Sequence, residues 1–508
     1  MMQSITIPIV LPLTGVLSFV IVRLLFQKAR GRLPPGPAGL PLIGNVLDMP
    51  SSTEWLRFAE WGVKWGQICS VTLLGQPIVI LNSASVLEEV DSKTAVFCTR
   101  PRLPMAGELV GYDQTLVLMS YGPRFRTYRK YFAKQIGSSN AVARFVPMIE
   151  AETHRFLKWL LLKPSADSIS THLRKLTGAI ILRITYGIEV QEEEDPFVAL
   201  IEKANDNFNA ATQPGKFIRA FLVDVFPAML QIPEIFAPFK QTARVWAGAT
   251  KNMVDAPYSF VQKQMSNGTA PVSFVSSLLE EEEKLSTEDI RDLKFTAASF
   301  YGGGADTTAA SLHAFFLAMV LTPDVQRTAQ IEIDSVVGSA RLPRLSDREQ
   351  LPYTSAVVTE LLRWHSVAPL GVPHAAMQDT VVNGHFIPKG ANMLNDPETY
   401  PHPATFNPSR YLSPSPQRDP RTICFGFGRR VCPGKHLAEV SLFCAVAAIL
   451  ATFEVSRAEG PLPVHENTQG TISQPKPFDC VVKPRSARAA ALISTYEKPE
   501  ESGSDVSI

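Results

Sequence analysis

Residues 293–321 keep a helical apolar period without a break, yet Gly302, Gly303 and Gly304 stand in the middle of the run. A helix that long and that apolar must lie inside a large, mainly helical body. Three successive glycines each cost about 1 kcal/mol relative to alanine inside a helix, so they require a reason. Either the helix passes over a flat bound group, with its backbone loosened there, or it packs closely on a neighbour. Ser286, with Asp289 three residues on, predicts the helix start, and residues 280–283, all Glu, predict a solvated loop ahead of it.

Helical periodicity dominates residues 125–335, including 331–337, while short strand-like runs such as 78–81 and 381–382 occupy the two outer thirds. The fold class expected is mainly α with small β-sheets, an α+β arrangement, and 508 residues are ample for a large core. With 49 Lys and Arg against 48 Asp and Glu, no surplus positive charge is available for a nucleic-acid backbone, so no nucleic-acid partner is expected. Cys69, Cys98, Cys424, Cys432, Cys444 and Cys480 form no paired framework, which predicts reduced thiols on the cytosolic side of a membrane.

That membrane is suggested by residues 5–22, which carry no charge and are followed by Arg23, Lys28, Arg30 and Arg32. Basic residues after rather than before the apolar stretch favour an uncleaved transmembrane anchor over residues 1–26, with the body in the cytosol. Pro8 and Pro12 predict a kinked first half. A basic, proline-rich hinge follows at 27–45, then a body at 46–490 and a polar, disordered tail at 491–508. Asn267-Gly268-Thr269 has the form of a glycosylation acceptor, but a cytosolic body would leave it unused.

Residues 425–439 read Phe-Gly-Phe-Gly-Arg-Arg-Val-Cys-Pro-Gly-Lys-His-Leu-Ala-Glu, ahead of an apolar helix expected at about 435–453. A lone cysteine is more often a buried apolar filler than a ligand. Here Gly426 and Gly428 permit close turns, and Cys432 sits at the positive end of the helix beside Arg429 and Arg430. That setting predicts a thiolate able to bind a metal.

The pattern Phe425-x-x-Gly428-x-Arg430-x-Cys432-x-Gly434 resembles the haem-binding signature of the cytochrome P450 family, the haem-thiolate monooxygenases. The resemblance extends from about Leu33 to Lys483 and implies haem b with Cys432 as axial ligand to iron. It implies that Asp306 and Thr307 deliver protons at the oxygen site. Glu360, Arg363 and Arg410, the last within Pro408-Ser409-Arg410-Tyr411, are implied to form a structural charge cluster behind the cysteine loop. Arg430, Arg129 and His374 are implied partners of the haem propionates, with Phe125 standing where the family has a hydrogen-bonding tryptophan. Substrate walls are expected from Ser299, Phe300, Val367, Ala368, Leu370, Val372, Thr471 and Ile472, which suits a hydrophobic small molecule.

Resemblance further implies a reaction with O2 and electrons from NADPH through a separate reductase, since no dinucleotide fingerprint is present in the chain. Arg124, Arg126, Lys130, Arg429 and Lys435 are candidates for the basic face that meets it. The wording of the motifs is most similar to fungal members that act on terpenoids, polyketides, aromatics or alkaloids, or on xenobiotics. Single-pass attachment to the endoplasmic reticulum membrane, in contact with lipid, is the expected location. Two alternatives are an electron-independent isomerase or dehydratase, and a degenerate haem protein. The second arises because residues 391–395 are shorter than the family's strand before Asp396.

Overall fold

In a computed structural model, residues 32–213, 222–281, 285–395, 400 and 402–495 are described. The anchor, the first hinge residues and most of the expected tail lie outside them. Apolar residues at 68–73 and 78–81 build a hairpin of β1 (Ile68–Leu73) and β2 (Gln76–Leu81), with Ile68 opposite Leu81. Its two turn residues, Leu74 and Gly75, have φ of 48° and 88°, the left-handed pair that a two-residue hairpin turn demands. The proline hinge is tied to this sheet rather than free. Ser70 donates its hydroxyl to the Pro34 carbonyl at 2.6 Å and its N–H to that of Pro35 at 2.8 Å.

Three later segments extend the β structure. β3 (His374–Ala375) precedes a small hairpin of β4 (Thr380–Val382) and β5 (His385–Ile387), and then β6 (Asn392–Asn395) enters the first sheet. The order there is β1-β2-β6-β3, with β6 parallel to β2 and antiparallel to β3. The short run before Asp396 is therefore long enough to close the sheet, with Ile78 opposite Asn392 and Leu81 opposite Asn395. A third sheet pairs β7 (Phe453–Arg457) with β8 (Cys480–Pro484).

The helices that position the site are α1 (Pro123–Ile136), α2 (Val146–Leu162), α3 (Ala166–Tyr186), α4 (Pro196–Thr212), α5 (Pro238–Ser266), α6 (Thr287–Leu321), α7 (Pro352–Trp364) and α8 (Lys435–Thr452). At the start of α6, Ser286 and Asp289 exchange side-chain and backbone hydrogen bonds, both 3.1 Å. Such a cap is worth about 1 kcal/mol. The acidic run ahead of it differs from expectation: Glu280 and Glu281 complete a helix, Phe274–Glu281, and Glu281 meets Lys134 at 3.1 Å. At the other end of the chain α8 stops at Thr452, and Phe453 opens β7.

Among the described residues α6 and α8 are long and apolar enough to cross a membrane, but 72% of the apolar window of each is buried within the protein. Both are core helices. α6 packs on α3, with Leu312, Phe315 and Phe316 fully buried, and α8 closes the far side with Phe443, Val446 and Ile449.

Candidate active site

The cysteine loop owes its shape to glycine. Gly426 and Gly428 have φ of 73° and 56°, and a Cβ at Gly428 would stand 2.2 Å from the Thr94 hydroxyl. Position 428 therefore excludes side chains by conformation and by space. The loop closes where the Cys432 N–H donates to the Phe425 carbonyl at 2.8 Å, and Gly434 caps α8 immediately beyond. Burial pushes the Cys432 thiol above its ordinary value, opposed by the Gly434 N–H, Arg129 and Lys435. Of the two arginines flanking the cysteine, Arg429 turns outward to the Tyr121 hydroxyl at 2.7 Å.

Between this loop and α6 lies a cavity of about 430 Å³ whose lining is mostly apolar. The three glycines of α6 divide the two roles foreseen for them. A Cβ at Gly304 would collide with Ile181 of α3 at 2.3 Å, so that glycine serves helix packing. A Cβ at Gly303 would meet nothing within 4 Å, and Gly303 lines the cavity, so that glycine leaves room there. The helix runs through all three, and the Thr307 hydroxyl donates back to the Gly303 carbonyl at 2.8 Å. Asp306 and Thr307 both border the cavity. Asp306 accepts from the Gln474 amide at 3.0 Å, and burial raises its pKa against the pull of Arg174.

Ser299, Phe300, Val367, Ala368, Val372 and Ile472 line the same space. Leu370 and Thr471 do not. Leu370 packs with Phe58, Trp61 and Ile80 under the first sheet, and the Thr471 hydroxyl is bound to that of Thr212 at 2.7 Å.

Three guanidinium groups reach the cavity wall, one of them not foreseen. Arg430 donates to the carbonyls of Cys98 at 2.6 Å, Met119 at 2.7 Å and Leu116 at 3.3 Å, and lies 3.9 Å over the Phe125 ring. Arg129 donates to the Val431 carbonyl at 2.6 Å. Arg100, in a proline-flanked loop with no periodic signal, donates to the carbonyls of Val372 at 2.6 Å, Val117 at 2.9 Å and Pro373 at 3.0 Å. Among the described residues none of the three has a carboxylate partner. Burial lowers the pKa of Arg129 and pushes Arg430 down to about 10, and burial with repulsion from Arg430 lowers Arg100 well below the usual guanidinium value. Phe125 supplies a ring face to Arg430 where a tryptophan would supply a donor.

His374 is buried in β3, not exposed on a loop. Its Nδ1 donates to the Phe97 carbonyl at 2.6 Å and its ring stacks on Phe427 at 4.5 Å. Burial, with Arg100 beside it, takes its pKa down to about 3. With Nδ1 committed to Phe97, Nε2 is the ring nitrogen left for a group in the cavity, which His374 lines.

The cluster behind the loop is self-contained. Glu360 is wholly buried and accepts from Arg363 at 2.8 Å and Arg410 at 3.1 Å, from the Asn407 N–H at 2.7 Å and from the Tyr411 hydroxyl at 3.2 Å. Of the five residues proposed for a basic face, Arg124 is withdrawn into an ion pair with Asp292 at 2.7 Å, whereas Arg126 and Lys130 stay exposed one turn apart on α1.

A thiol, a wall with room for a flat group and three cations without a counter-anion fit a haem with its two propionates. Residues 34–482 match the family model described as Cytochrome P450. The chain is 46% identical over 493 residues to cytochrome P450 monooxygenase 208 of Postia placenta, covering 94% of each chain. It is 43% identical to cytochrome P450 monooxygenase claR of Ampulloclitocybe clavipes, over 91% of this chain and 88% of that one. Cytochrome P450 monooxygenase ppsD of Aspergillus oryzae is 39% identical, over 91% and 90%. The chain belongs to the cytochrome P450 family of haem-thiolate monooxygenases.

Proposed function

We propose that this cytochrome P450 holds haem b between α6 and the cysteine loop and oxidises a hydrophobic small molecule of secondary metabolism: a terpenoid, polyketide, aromatic or alkaloid. The observation that carries this reading is the group of arginines, Arg430 buried and Arg100 and Arg129 partly buried, facing without a carboxylate among the described residues the same cavity that Cys432 lines. Buried cations of that kind are strongly unfavourable until an anion joins them. Cys432 would ligate iron and the arginines would take the propionates. When bound, the haem activates dioxygen, sending one atom to the substrate and one to water, with two electrons from NADPH through a separate reductase.

The chain's own part is positional. Phe300, stacked on Phe132 at 3.7 Å, joins Val367 and Ile472 in an apolar wall that binds substrate by excluding water. Thr307 presents a hydroxyl to the cavity, and Asp306, its pKa raised, takes up and releases a proton one residue away. Exposed Arg126 and Lys130, with Lys435, are a suitable landing for an acidic reductase.

Single-pass attachment to the endoplasmic reticulum membrane with a cytosolic body belongs to the same proposal. It is supported by the uncharged residues 5–22 and the basic residues after them, and by Leu42 near the end of the hinge and Leu47 just beyond it, 59% and 76% exposed.

The test is the carbon monoxide complex of the reduced protein. The wild type is expected to show the far-shifted Soret band peculiar to thiolate ligation, and Cys432→Ser to lose it. An unshifted wild-type band would overturn the reading.

A further inference from the structure

α4 and α5 reach the cavity with Asn205, Phe208 and Met253, a part of the wall that supplies neither the thiol nor the arginines. Phe208 and Met253 are apolar and buried, whereas Asn205 brings an amide to the same wall and is partly buried. A polar group on an apolar wall is unfavourable unless a hydrogen bond satisfies it.

Other polar side chains of the lining are satisfied within the chain. The Tyr112 hydroxyl donates to the Ala204 carbonyl at 2.6 Å, that of Thr115 to the Tyr112 carbonyl at 2.6 Å, that of Thr177 to the Leu173 carbonyl at 3.0 Å and that of Ser299 to the Phe295 carbonyl at 2.6 Å. Asn205 differs from all four. Its Nδ2 stands 3.5 Å from the Gly302 carbonyl, at the outer limit of a hydrogen bond, and its Oδ1 has no donor among the described residues. The third glycine of α6 belongs to the same arrangement. A Cβ at Gly302 would come within 3.7 Å of the Asn205 Oδ1 and meet no other atom inside 4 Å, so the absence of a side chain keeps open the space in front of that oxygen.

Charge narrows what can fill it. Among the described residues of the lining the cationic side chains are Arg100, Arg129 and Arg430, the partners proposed for the propionates, and the acid is Asp306, already engaged by the Gln474 amide at 3.0 Å. A carboxylate or an ammonium beside Asn205 would therefore be buried without a counter-charge of its own. A hydroxyl carries no such penalty. It can donate to Oδ1 and accept from Nδ2, whichever way the amide is turned.

We propose that Asn205 is a specificity-determining residue that holds a neutral hydroxyl on an otherwise apolar substrate, so that the enzyme takes a carbon skeleton already bearing oxygen. Phe208 and Met253 flank the anchored end, and fixing that end determines which carbon lies toward the cysteine loop. This inference rests on the reading of the cavity as a haem-containing oxidation site.

The test uses the haem-loaded full chain, titrated with N-alkylimidazoles from hexyl to dodecyl and with their ω-hydroxyalkyl counterparts, each followed by the Soret shift as the imidazole binds iron. A flexible chain lets the hydroxyl reach the amide at whichever length matches the separation. At that length the ratio of hydroxyalkyl to alkyl Kd is expected to rise roughly fivefold to tenfold in Asn205→Leu, and in the same direction in Asn205→Ala. Binding of the alkyl probe shows that each variant is folded, and a merely structural bridge from α4 to Gly302 would shift both probes together. An unchanged ratio at every length in both variants overturns the proposal. So does tighter binding of the ω-carboxyalkyl or ω-aminoalkyl probe than of the hydroxyalkyl one in the wild type. If no probe moves the Soret band and the carbon monoxide complex lacks its shifted band, the haem reading itself fails and the proposal falls with it.

Discussion

Glu360 and Arg430 are both buried, and their neighbourhoods are built on opposite plans. Around Glu360 a carboxylate sits at the centre: two arginines, a tyrosine hydroxyl and a backbone N–H converge on it. Around Arg430, three guanidinium groups face one cavity with only carbonyl oxygens for company. The first arrangement is complete in the folded chain and ties α7 to the segment at Pro408–Tyr411. The second is complete only with an anion. Arginine-rich clusters thus separate scaffold from site by whether the chain itself supplies a carboxylate.

The largest expected effect comes from breaking the cluster at Glu360. Glu360→Gln strands Arg363 and Arg410 and should destabilise the protein by about 3–5 kcal/mol, read from denaturant unfolding. A loss below about 1 kcal/mol would put this cluster on a level with surface ion pairs. In the cluster without a carboxylate the sign should depend on the ligand. Arg430→Met is expected to stabilise the haem-free chain by relieving buried repulsion, yet to weaken haem retention by about 1.5–3 kcal/mol, read as faster transfer to an acceptor globin. Destabilisation of both forms would remove the distinction.

The smallest effect concerns a lone buried acid, Asp224. It accepts from the Met105 N–H at 2.6 Å, its other oxygen has no partner, and burial raises it from 3.8 to about 7. Because the folded-state pKa lies above the unfolded value, its stabilising protonation is complete below about pH 4 and is lost as pH rises through about 7. Asp224→Asn should therefore raise the melting temperature more at pH 8 than at pH 5, by roughly a degree or two. An equal gain at both pH values would mean the carboxyl does not titrate there.

Some of this architecture was legible in the order of residues because its causes are local. Ser286 and Asp289 cap a helix three residues apart, and Gly426 and Gly428 bend a loop around their own neighbours. Elsewhere local patterns misled. Leu370 and Thr471 have wall-like character but belong to other contacts, and Arg124 has a surface residue's sequence context but is half-withdrawn against Asp292. The triple glycine in α6 gave no sign of which member packs and which clears space, since Ile181 lies on another helix.

Chain order by itself determined the mainly helical class, the cysteine loop and the identity of its thiol, the start of α6 and the pairing of Glu360 with Arg363. Each depends on residues a turn or a short loop apart. Only tertiary structure decided that Arg100 joins Arg129 and Arg430, and that His374 is buried with its Nδ1 committed to Phe97. Arg430 meets Met119 across 311 positions and Arg100 meets Val372 across 272. Whether a buried charge or lone pair is satisfied depends on atoms within a few ångströms, and over such separations in sequence the folding of the whole chain decides which atoms those are.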